Sequence, residues 1–480
     1  MPLPAGPSTP APWQLIQWIR WPHALMRQCA AAYGDLFTLR IGYRLSPLVF
    51  CSDPEGLRLL LGNDEGPAIT APGELNSLFE PLLGPQSVLG LSGGPHRRMR
   101  QLLMPPFHGE RMRSYGEEIQ AISEDEADHW PIGAPINVRE AMQRITMRTI
   151  LRTVFGLREG PRLAQLEQRL VAMLEVFSQP WMTLPLYFRV LQRDLGPISP
   201  WGSFLRQMEA INALLHAEIA ERRAQADPDR DDILSLLLAA RDEEGQPLSD
   251  GELRDELLTL LVAGHETTAT ALSWALYWLA VLPEVQDRLR RELVEASAAA
   301  QGPLDLNALL RLPYLQAVCN ETLRIQPVGM LTFPRRLEQP LTLAGQELEA
   351  GTVVMGCIYL AHRRQEVYPD PERFDPERFL SGSFGPTTFL PFGSGSRRCI
   401  GMAFALFEMK VVLAQLLRRF AVELDPSTPL PVRPVRRGLT AGQSPVRLRV
   451  RPAANGEAVV SATATAGRPS EAQGAASPVS

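Results

Sequence analysis

The stretch that decides the fold runs from residue 392 to residue 401 and reads Phe392-Gly393-Ser394-Gly395-Ser396-Arg397-Arg398-Cys399-Ile400-Gly401. It places one cysteine behind a glycine-rich loop, directly before an apolar pattern that predicts a long helix over about residues 400–420. A cysteine at a helix N-terminus meets free amide groups and the positive end of the helix dipole, which together stabilise its thiolate. Glycines 393, 395 and 401 permit positive φ angles and let a flat cofactor approach the backbone. A lone cysteine is more often a buried structural residue, so the surrounding loop is what favours a ligand role for Cys399.

Composition and charge indicate which classes of protein this chain can belong to. The chain has 480 residues, of which 45% are apolar and 21% charged, as is typical of globular proteins. A formal net charge of −5 gives no general attraction to nucleic acid or to anionic membranes. Five scattered cysteines without a C-x-x-C pair indicate a reducing compartment, and no signal-peptide pattern precedes residue 12. We therefore expect a cytoplasmic protein with no membrane anchor and no nucleic-acid partner.

The remaining pattern predicts a fold that is mainly α with a minor β region. Short strands are expected at 36–41 and 47–50, and a strand pattern returns at 340–354. Between about residues 109 and 294, apolar residues recur at three- and four-residue spacing, which predicts helices. Residues 453–480 lack bulky side chains, so we expect a disordered tail there.

A long helix is predicted near the middle of the chain. Ser249 and Glu252 form a capping box at its start, and Pro283 ends it. Its apolar part, residues 257–282, is long enough to cross a bilayer. Glu266 at its centre would be costly in lipid, so a helix buried in a large soluble domain is the better interpretation.

The loop around Cys399 resembles the cysteine loop of the cytochrome P450 family, F-x-x-G-x-[RH]-x-C-x-G, at every fixed position. Other P450-like motifs occur in the family's order: H-x-x-x-R at His96–Arg100, A-G-x-[DE]-T-[TS] at Ala263–Thr268, E-x-x-R at Glu321–Arg324 and the P-E-R-F segment at Phe374–Phe379. The resemblance runs from about Pro10 to Arg451. It implies the P450 fold in a single domain over residues 1–452, with the long central helix crossing a haem.

The resemblance also implies how the haem is held. Cys399 is expected to be the axial ligand of the iron of haem b, iron protoporphyrin IX. The family's propionate-binding positions fall on His96, Arg100, Arg335 and Arg397. Guanidinium groups suit carboxylates because they form charge-assisted hydrogen bonds. The adjacent Arg336 could replace Arg335, and an ordinary solvated basic face is the alternative interpretation of this cluster.

Glu266 and Thr267 lie in the motif that the family uses to activate oxygen, which implies a role in proton delivery. The structural alternative for Thr267 is a hydrogen bond back to the carbonyl of Ala263, one turn earlier. His265 and Glu266 could also begin a zinc-protease motif, H-E-x-x-H. Ala269 occupies the place of the second histidine, which excludes that site.

Glu321, Arg324 and Arg378 are expected, by the same resemblance, to form a buried triad behind the cysteine loop. Positions three apart on a helix share a face, so Glu321 and Arg324 can interact directly. Taken alone, such a pair would be an ordinary surface ion pair. The triad is therefore predicted to hold the fold and to take no part in chemistry.

The implied function is that of a haem-thiolate monooxygenase that inserts one atom of O₂ into a hydrophobic small molecule. A fatty acid, a terpenoid or a steroid-like compound would suit the apolar segments expected to contact it: Leu75, Leu78, Phe79, Leu82, Trp181, Met182, Leu184, Ala263 and Val328–Thr332. Two alternatives stay open. One is a haem-thiolate enzyme that uses or rearranges peroxides, and the other is a haem-binding sensor or carrier.

Electrons are expected to come from a separate ferredoxin or flavodoxin and its reductase. The chain has no dinucleotide-binding fingerprint, flavin motif or iron–sulfur cysteine set. An acidic partner would suit a basic surface near the cysteine loop. The residues predicted for that surface are Arg97, Arg98, Arg113, Arg398 and Lys410.

Overall fold

The structure is a computed structural model that describes residues 3–107, 111–156, 160–176, 184–196, 199–225, 227, 230–299, 305–437 and 440–453. The predicted tail, residues 453–480, lies outside the described residues beyond Ala453. Within the described residues, no helix is long and apolar enough to cross a membrane.

Helices make up most of the described chain, which confirms the prediction of a mainly α fold. In chain order they are α1 Ala11–Arg20, α2 Pro22–Tyr33, α3 Pro54–Gly62, α4 Glu80–Leu83, α5 Gly93–Leu103, α6 Arg111–Asp128, α7 Val138–Phe155, α8 Pro161–Val176, α9 Leu184–Tyr187, α10 Pro200–Ala224, α11 Ile233–Ala239, α12 Asp250–Val281, α13 Pro283–Ala299, α14 Leu306–Leu310, α15 Pro313–Ile325, α16 Ile358–Ala361, α17 Arg378–Ser381 and α18 Met402–Arg419.

The minor β region consists of short strands in small sheets. The strands are β1 Leu36–Arg40, β2 Pro47–Cys51, β3 Ile69–Thr70, β4 Ile136–Asn137, β5 Arg335–Leu337, β6 Leu341–Leu343, β7 Gln346–Leu348, β8 Val353–Gly356, β9 Phe420–Leu424, β10 Pro434–Arg437, β11 Thr440–Gln443 and β12 Arg447–Pro452. The largest sheet has the order β1-β2-β8-β5-β3, in which β2 and β8 are parallel and the other neighbours antiparallel. This sheet brings the N-terminal segment beside the segment that follows α15.

The central helix α12 has the ends that the sequence predicts. The Ser249 side chain accepts from the amide of Glu252, and the Glu252 carboxylate accepts from the amide of Ser249 at 2.8 Å. The helix ends at Val281, and Pro283 begins α13. Its 32 residues span ~48 Å at 1.5 Å per residue. It packs against α7, α10, α15 and α18 and so crosses the middle of the helical core.

Close packing of α12 on α7 depends on one glycine. A Cβ atom at Gly264 would lie 2.7 Å from the Cδ1 atom of Ile150 on α7. Real Cβ atoms do not approach other atoms this closely, because protein interiors are already close-packed. Gly264 therefore lets the two helices approach at the level of the Glu266 motif.

The predicted triad is present and buried. Arg324 donates to Glu321 at 2.6 Å, and both side chains are fully buried. Arg378 lies 3.3 Å from the same carboxylate. Arg324 also donates to the carbonyl of His362, whose Nε2 accepts from the amide of Leu390 just before the cysteine loop. The triad thus holds the chain that leads into the loop.

Candidate functional site

A large internal cavity lies between α12, the cysteine loop, α5 and the sheet. Its volume is about 1220 Å³, and Thr267 and Cys399 both line it. The cavity exceeds the ~300–1,000 Å³ of ordinary small-molecule pockets, so it has room for a flat cofactor as well as a second molecule.

Cys399 is the cysteine that faces this cavity. The other four cysteines are buried, whereas Cys399 is exposed and lines the cavity. Its amide donates to the carbonyl of Phe392 at 3.0 Å, which closes the loop. Desolvation raises the pKa of the Cys399 thiol, while the amide of Gly401 and the guanidinium groups of Arg100 and Arg398 act in the opposite direction. A positively charged group bound next to this thiol would therefore favour its thiolate form.

The loop glycines matter for their backbone conformation and for the space that a side chain would fill. Gly393 and Gly395 have φ angles of 68° and 72°, and so use the positive φ that glycine permits. A Cβ atom at Gly395 would also lie 2.4 Å from a carboxylate oxygen of Asp64. Gly401 has a φ of −82°, so it does not use the positive φ that glycine permits. No heavy atom lies within 4 Å of a Cβ built on Gly401, which leaves open space above the backbone beside Cys399.

Asp64 is a residue that the sequence does not single out. Its carboxylate accepts from Arg335 at 2.6 Å and from the amide of Ser396 at 3.1 Å. It thus ties the start of β5 to the cysteine loop. Asp64 follows α3 and belongs to no motif, so only the folded chain reveals the contact.

The four residues predicted to bind propionates lie together in the cavity wall. Arg397 donates to the carbonyls of Val88 at 3.0 Å and of Leu91 at 2.5 Å. Arg100 donates to the carbonyl of Arg398 at 2.8 Å, and Arg335 also donates to that of Ser394. All three guanidinium groups are thereby oriented by backbone carbonyls around the cysteine loop.

The electrostatics of this cluster fit an anionic cofactor. Burial, and then repulsion by Arg335 and Arg100, lowers the pKa of Arg397 to about 10. Burial likewise lowers the pKa of both Arg100 and Arg335. Burial and the neighbouring arginines lower the pKa of His96 to about 3, so its ring is neutral. Two carboxylates on a flat cofactor would balance this buried positive charge, and the residues present therefore fit a haem.

The Glu266 motif lies on the cavity side of α12. Thr267 Oγ1 donates to the carbonyl of Ala263 at 2.6 Å, the back-bond that the structural alternative describes. Glu266 accepts from Arg139 on α7 at 2.6 Å and from Gln143 at 3.1 Å. Arg139 was not predicted, because it belongs to no motif and lies 127 positions from Glu266.

The buried ring of His265 contacts a side chain of the neighbouring helix α7. Its Nδ1 lies 2.9 Å from the hydroxyl of Thr146 on α7, and burial lowers its pKa to about 4. No group of histidine, cysteine and acidic side chains suited to a metal ion occurs among the described residues.

The sequence matches the cytochrome P450 family model over residues 4–450. The chain belongs to the cytochrome P450 family. It is therefore a haem-thiolate monooxygenase, which uses O₂ and a redox partner. The prediction of family and enzyme class is confirmed.

Among curated relatives, cytochrome P450 135B1 of Mycobacterium tuberculosis is 39% identical over 468 residues, covering 97% of this chain and 94% of the relative. Cytochrome P450 135A1 of the same organism is 37% identical, covering 88% and 89%. Among solved structures, the retinoic acid-bound cyanobacterial CYP120A1 is 27% identical with a TM-score of 0.78, covering 94% of this chain and all of that one. The P450 fold is thereby confirmed.

Most of the predicted substrate-contacting residues line the cavity of this P450. Those that do are Leu75, Leu78, Phe79, Leu82, Ala263 and Val328–Thr332. Leu184 is not among the lining residues and packs against the hydrophobic cluster that contains Tyr187, whereas Leu186 and Tyr187 line the cavity. Trp181 and Met182 lie outside the described residues.

The predicted basic surface needs two corrections. Lys410 is buried in α18 and donates to the carbonyl of Leu310 at 2.7 Å, so it does not face a partner. Arg98 is paired with Asp242 at 2.5 Å and with Glu252 at 2.7 Å, which cancels its charge. Arg97, Arg113 and Arg398 remain exposed, although Arg97 lies 3.5 Å from the carboxylate of Glu65 and Arg113 lies 3.6 Å from that of Glu117.

Proposed function

We propose that this P450 inserts one oxygen atom from O₂ into a hydrophobic small molecule of the fatty-acid, terpenoid or steroid-like class. The observation that carries the proposal is the largely apolar cavity that both Cys399 and Thr267 line. Apolar walls with a few polar groups favour hydrophobic ligands. The retinoic acid bound to the structurally similar CYP120A1 supports the terpenoid-like end of this range.

The cofactor is proposed to be haem b. Cys399 would bind its iron, and His96, Arg100, Arg335 and Arg397 would hold its two propionates. When bound, the haem supplies the activation of O₂ that the side chains cannot perform. The protein would supply the thiolate of Cys399 as a ligand and a positively charged wall formed by Arg100, Arg335 and Arg397.

Glu266 and Thr267, which line the same cavity as Cys399, are proposed to deliver protons there. The Thr267 hydroxyl donates a hydrogen bond to the carbonyl of Ala263 and can accept a hydrogen bond from a neighbouring donor at the same time. Arg139 and Gln143 fix the Glu266 carboxylate at the cavity wall. A carboxylate held in this way can pass protons inward from the α7 side.

The redox partner is proposed to be a separate ferredoxin or flavodoxin with its own reductase, in the cytosol. The exposed residues Arg97, Arg113 and Arg398 support an acidic partner. Residues 1–452 are proposed to form one catalytic domain. The rate of reduction is expected to fall when ionic strength rises above ~0.1 M, where the Debye length is ~10 Å.

The test has two parts. Hydrophobic compounds are screened for those that convert the haem of the purified protein from low to high spin. Compounds that do so are then incubated with NAD(P)H and a surrogate ferredoxin pair, and hydroxylated or epoxidised product is measured. Product that forms only with NAD(P)H and O₂ supports the proposal. Product that forms with peroxide alone would favour a peroxide-using enzyme. A protein that binds haem but forms no product under either condition would favour a sensor or carrier.

A further inference from the structure

The wall that α12 contributes to the cavity contains a buried carboxyl group without a role in the proposed function. Glu256, near the start of α12, lines the cavity, and its side chain is fully buried. Its Oε1 accepts from the amide of Val88 at 2.6 Å, whereas Oε2 has no hydrogen-bond partner among the described residues. In the part of the chain that the structure describes, no other side chain lining the cavity has a buried oxygen or nitrogen atom without a partner. A buried polar atom of this kind costs free energy unless a bound molecule satisfies it.

Three successive residues, Gln86–Val88, fasten the segment between α4 and α5 to α12 around this carboxyl group. The first donates its amide to Asp255 at 2.8 Å, and the second has its hydroxyl 2.8 Å from that of Thr259. The third donates its amide to Glu256. The hydroxyl of Thr259, which also lines the cavity, is therefore already paired, and the carboxyl of Glu256 is held in place with one oxygen left over.

Burial and charge favour the neutral form of this carboxyl group. Burial raises the pKa of Glu256 well above its usual range, and the carboxylates of Asp255 and Glu252 add to the rise, against the opposing effect of the Val88 amide. A neutral carboxyl group carries one O–H donor. Because Oε1 already accepts from Val88, Oε2 can hold the proton and donate to a bound oxygen atom. The neighbouring carboxylates disfavour an anionic ligand group at this position.

Glu256 and Thr267 lie on the same face of α12. They are eleven positions apart, which is close to three full turns of ~3.6 residues, and both line the cavity. A rise of ~1.5 Å per residue separates them by ~16 Å along the helix axis. A molecule held at Glu256 by one end can therefore extend along α12 and place its other end near Thr267.

We propose that Glu256 selects hydrophobic substrates that carry a ketone or hydroxyl oxygen at one end, and that it directs oxidation to the opposite end. Its Oε2 donates to the substrate oxygen, while the Val88 amide keeps the carboxyl group oriented. The choice of the oxidised end rests on the proposed function, in which Thr267 marks the place of oxygen insertion. The substrate class is thereby narrowed to oxygen-bearing terpenoid or steroid-like molecules, and fatty acids are disfavoured. Sites built to hydrogen-bond a substrate group reject analogues that lack it, because the polar atom of the site is then left unpaired.

A protonated amine is the other kind of group that a carboxyl group can bind. An amine requires the ionised form of Glu256, and ionising a fully buried carboxyl group is costly. A ketone or hydroxyl oxygen satisfies Oε2 without bringing a charge into the cavity. The burial of Glu256 therefore favours a neutral oxygen over an amine.

The test uses the full-length, haem-loaded protein and three compounds that share one rigid skeleton: 5α-androstan-3-one, the hydrocarbon 5α-androstane and the amine 3-amino-5α-androstane. All three are supplied in cyclodextrin, and equilibrium dialysis measures their binding without relying on the haem spectrum or on turnover. Each compound is compared between wild type and variants, so the effect of cyclodextrin cancels. We expect wild type to bind the ketone more tightly than the amine.

Variants isolate the donor. Glu256→Leu removes it and should weaken ketone binding about tenfold, while hydrocarbon binding stays equal or becomes tighter. Glu256→Gln keeps both an N–H donor and an acceptor for Val88, and should retain ketone binding within about threefold. Ser87→Ala is the matched control, because it loosens the same segment without changing a side chain that lines the cavity, and it should bind all three compounds as wild type does. The carbon monoxide spectrum of every variant reports whether the fold is intact.

The position of the new hydroxyl group gives a second measurement, which needs no variant. With NAD(P)H and a surrogate ferredoxin pair, wild type should oxidise the ketone on the ring farthest from its oxygen, and the hydrocarbon at several positions. A ketone preference in dialysis without oxidation of any compound would refute the proposed function and still support Glu256 as the group that binds the oxygen.

Three outcomes would overturn the proposal. The first is an equal loss of ketone and hydrocarbon binding in Glu256→Leu, or no binding of the ketone to wild type, which would leave Glu256 only its contact with Val88. The second is tighter binding of the amine than of the ketone, lost in Glu256→Gln, which would make this a site for cations. The third is oxidation of the ketone beside its own oxygen.

Discussion

Arg139 on α7 donates to the carboxylate of Glu266 on α12 at 2.6 Å, and both side chains are more than four-fifths buried. This pair joins the two helices at the level of the oxygen-activation motif. Gln143, one turn after Arg139, donates to the other oxygen of the same carboxylate at 3.1 Å. The pair therefore fixes the orientation of a group that we propose carries protons.

Arg139→Gln should destabilise the holoprotein, because it leaves the Glu266 carboxylate only partly paired. The expected loss in the free energy of unfolding is ~1–3 kcal/mol, between the values for exposed and fully buried pairs. Urea unfolding is measured for four proteins: wild type, Arg139→Gln, Glu266→Gln and the double variant. The four free energies of unfolding give the coupling free energy between Arg139 and Glu266. Arg58→Gln, from the exposed pair with Glu55, is the control and should cost less than ~1 kcal/mol. A coupling near zero for Arg139 and Glu266 would contradict the pairing.

Cys399→Ala should abolish the carbon monoxide absorption that is diagnostic of a thiolate-ligated haem, because it removes the sulfur that faces the cavity. Cys357→Ala is the matched control. Cys357 is buried against the sulfur of Met26 at 3.4 Å, and burial raises the pKa of its thiol to about 12. The spectrum of the Cys357 variant should match wild type. Loss of the band in that variant, with retention in Cys399→Ala, would overturn the ligand assignment.

Thr267→Ala should keep the helix and the haem spectrum, since alanine is the better helix former. Product formed per NAD(P)H consumed should fall roughly tenfold, less than the ~10²–10⁴-fold of a general acid, because water can carry part of the proton flow. Hydrogen peroxide released should rise by a corresponding amount. Thr270→Ala, which removes a buried hydroxyl on the same helix, is the control and should leave this ratio unchanged. An unchanged ratio in Thr267→Ala would leave Thr267 only its back-bond to Ala263.

The buried carboxyl of Glu408 on α18 should make the stability of the folded protein depend on pH. Burial raises the pKa of its carboxyl to about 8, against the smaller opposing effect of the hydroxyls of Thr149 and Thr268. Its unfolded pKa is ~4.3, so the folded state binds the proton more tightly. This contribution to stability is complete below pH ~4.3 and is lost as the pH rises toward about 8.

Glu408→Gln should remove that dependence, because the amide cannot ionise. Between pH 6 and 8, the free energy of unfolding of wild type should fall relative to the variant, by no more than ~1.4 kcal/mol per pH unit. Urea midpoints across this range supply the measurement. Glu55→Gln, at an exposed position, should run parallel to wild type. Parallel curves for wild type and Glu408→Gln would show that Glu408 is ionised in the folded protein.

Much of the fold follows from local sequence. The capping box of Ser249 and Glu252 predicts the start of α12, and it forms because both residues lie within one turn. The triad of Glu321, Arg324 and Arg378 was expected from the family's motifs, and the structure confirms it. The positive φ of Gly393 and Gly395 follows from a loop that must turn sharply before a helix. The roles of His96, Arg100, Arg335, Arg397, Glu266 and Thr267 stay predictions.

The sequence by itself determined the family, the helical class and the position of Cys399, because each depends on motifs or periodicities within short stretches of chain. Only the tertiary structure decided which distant residues meet. Asp64 and Arg335 are 271 positions apart, and Arg139 and Glu266 are 127 apart. The same holds for Lys410, whose charge suggested a surface position until packing placed its amine on the carbonyl of Leu310. Such contacts depend on how helices and strands pack, and a single sequence carries no local signal of them.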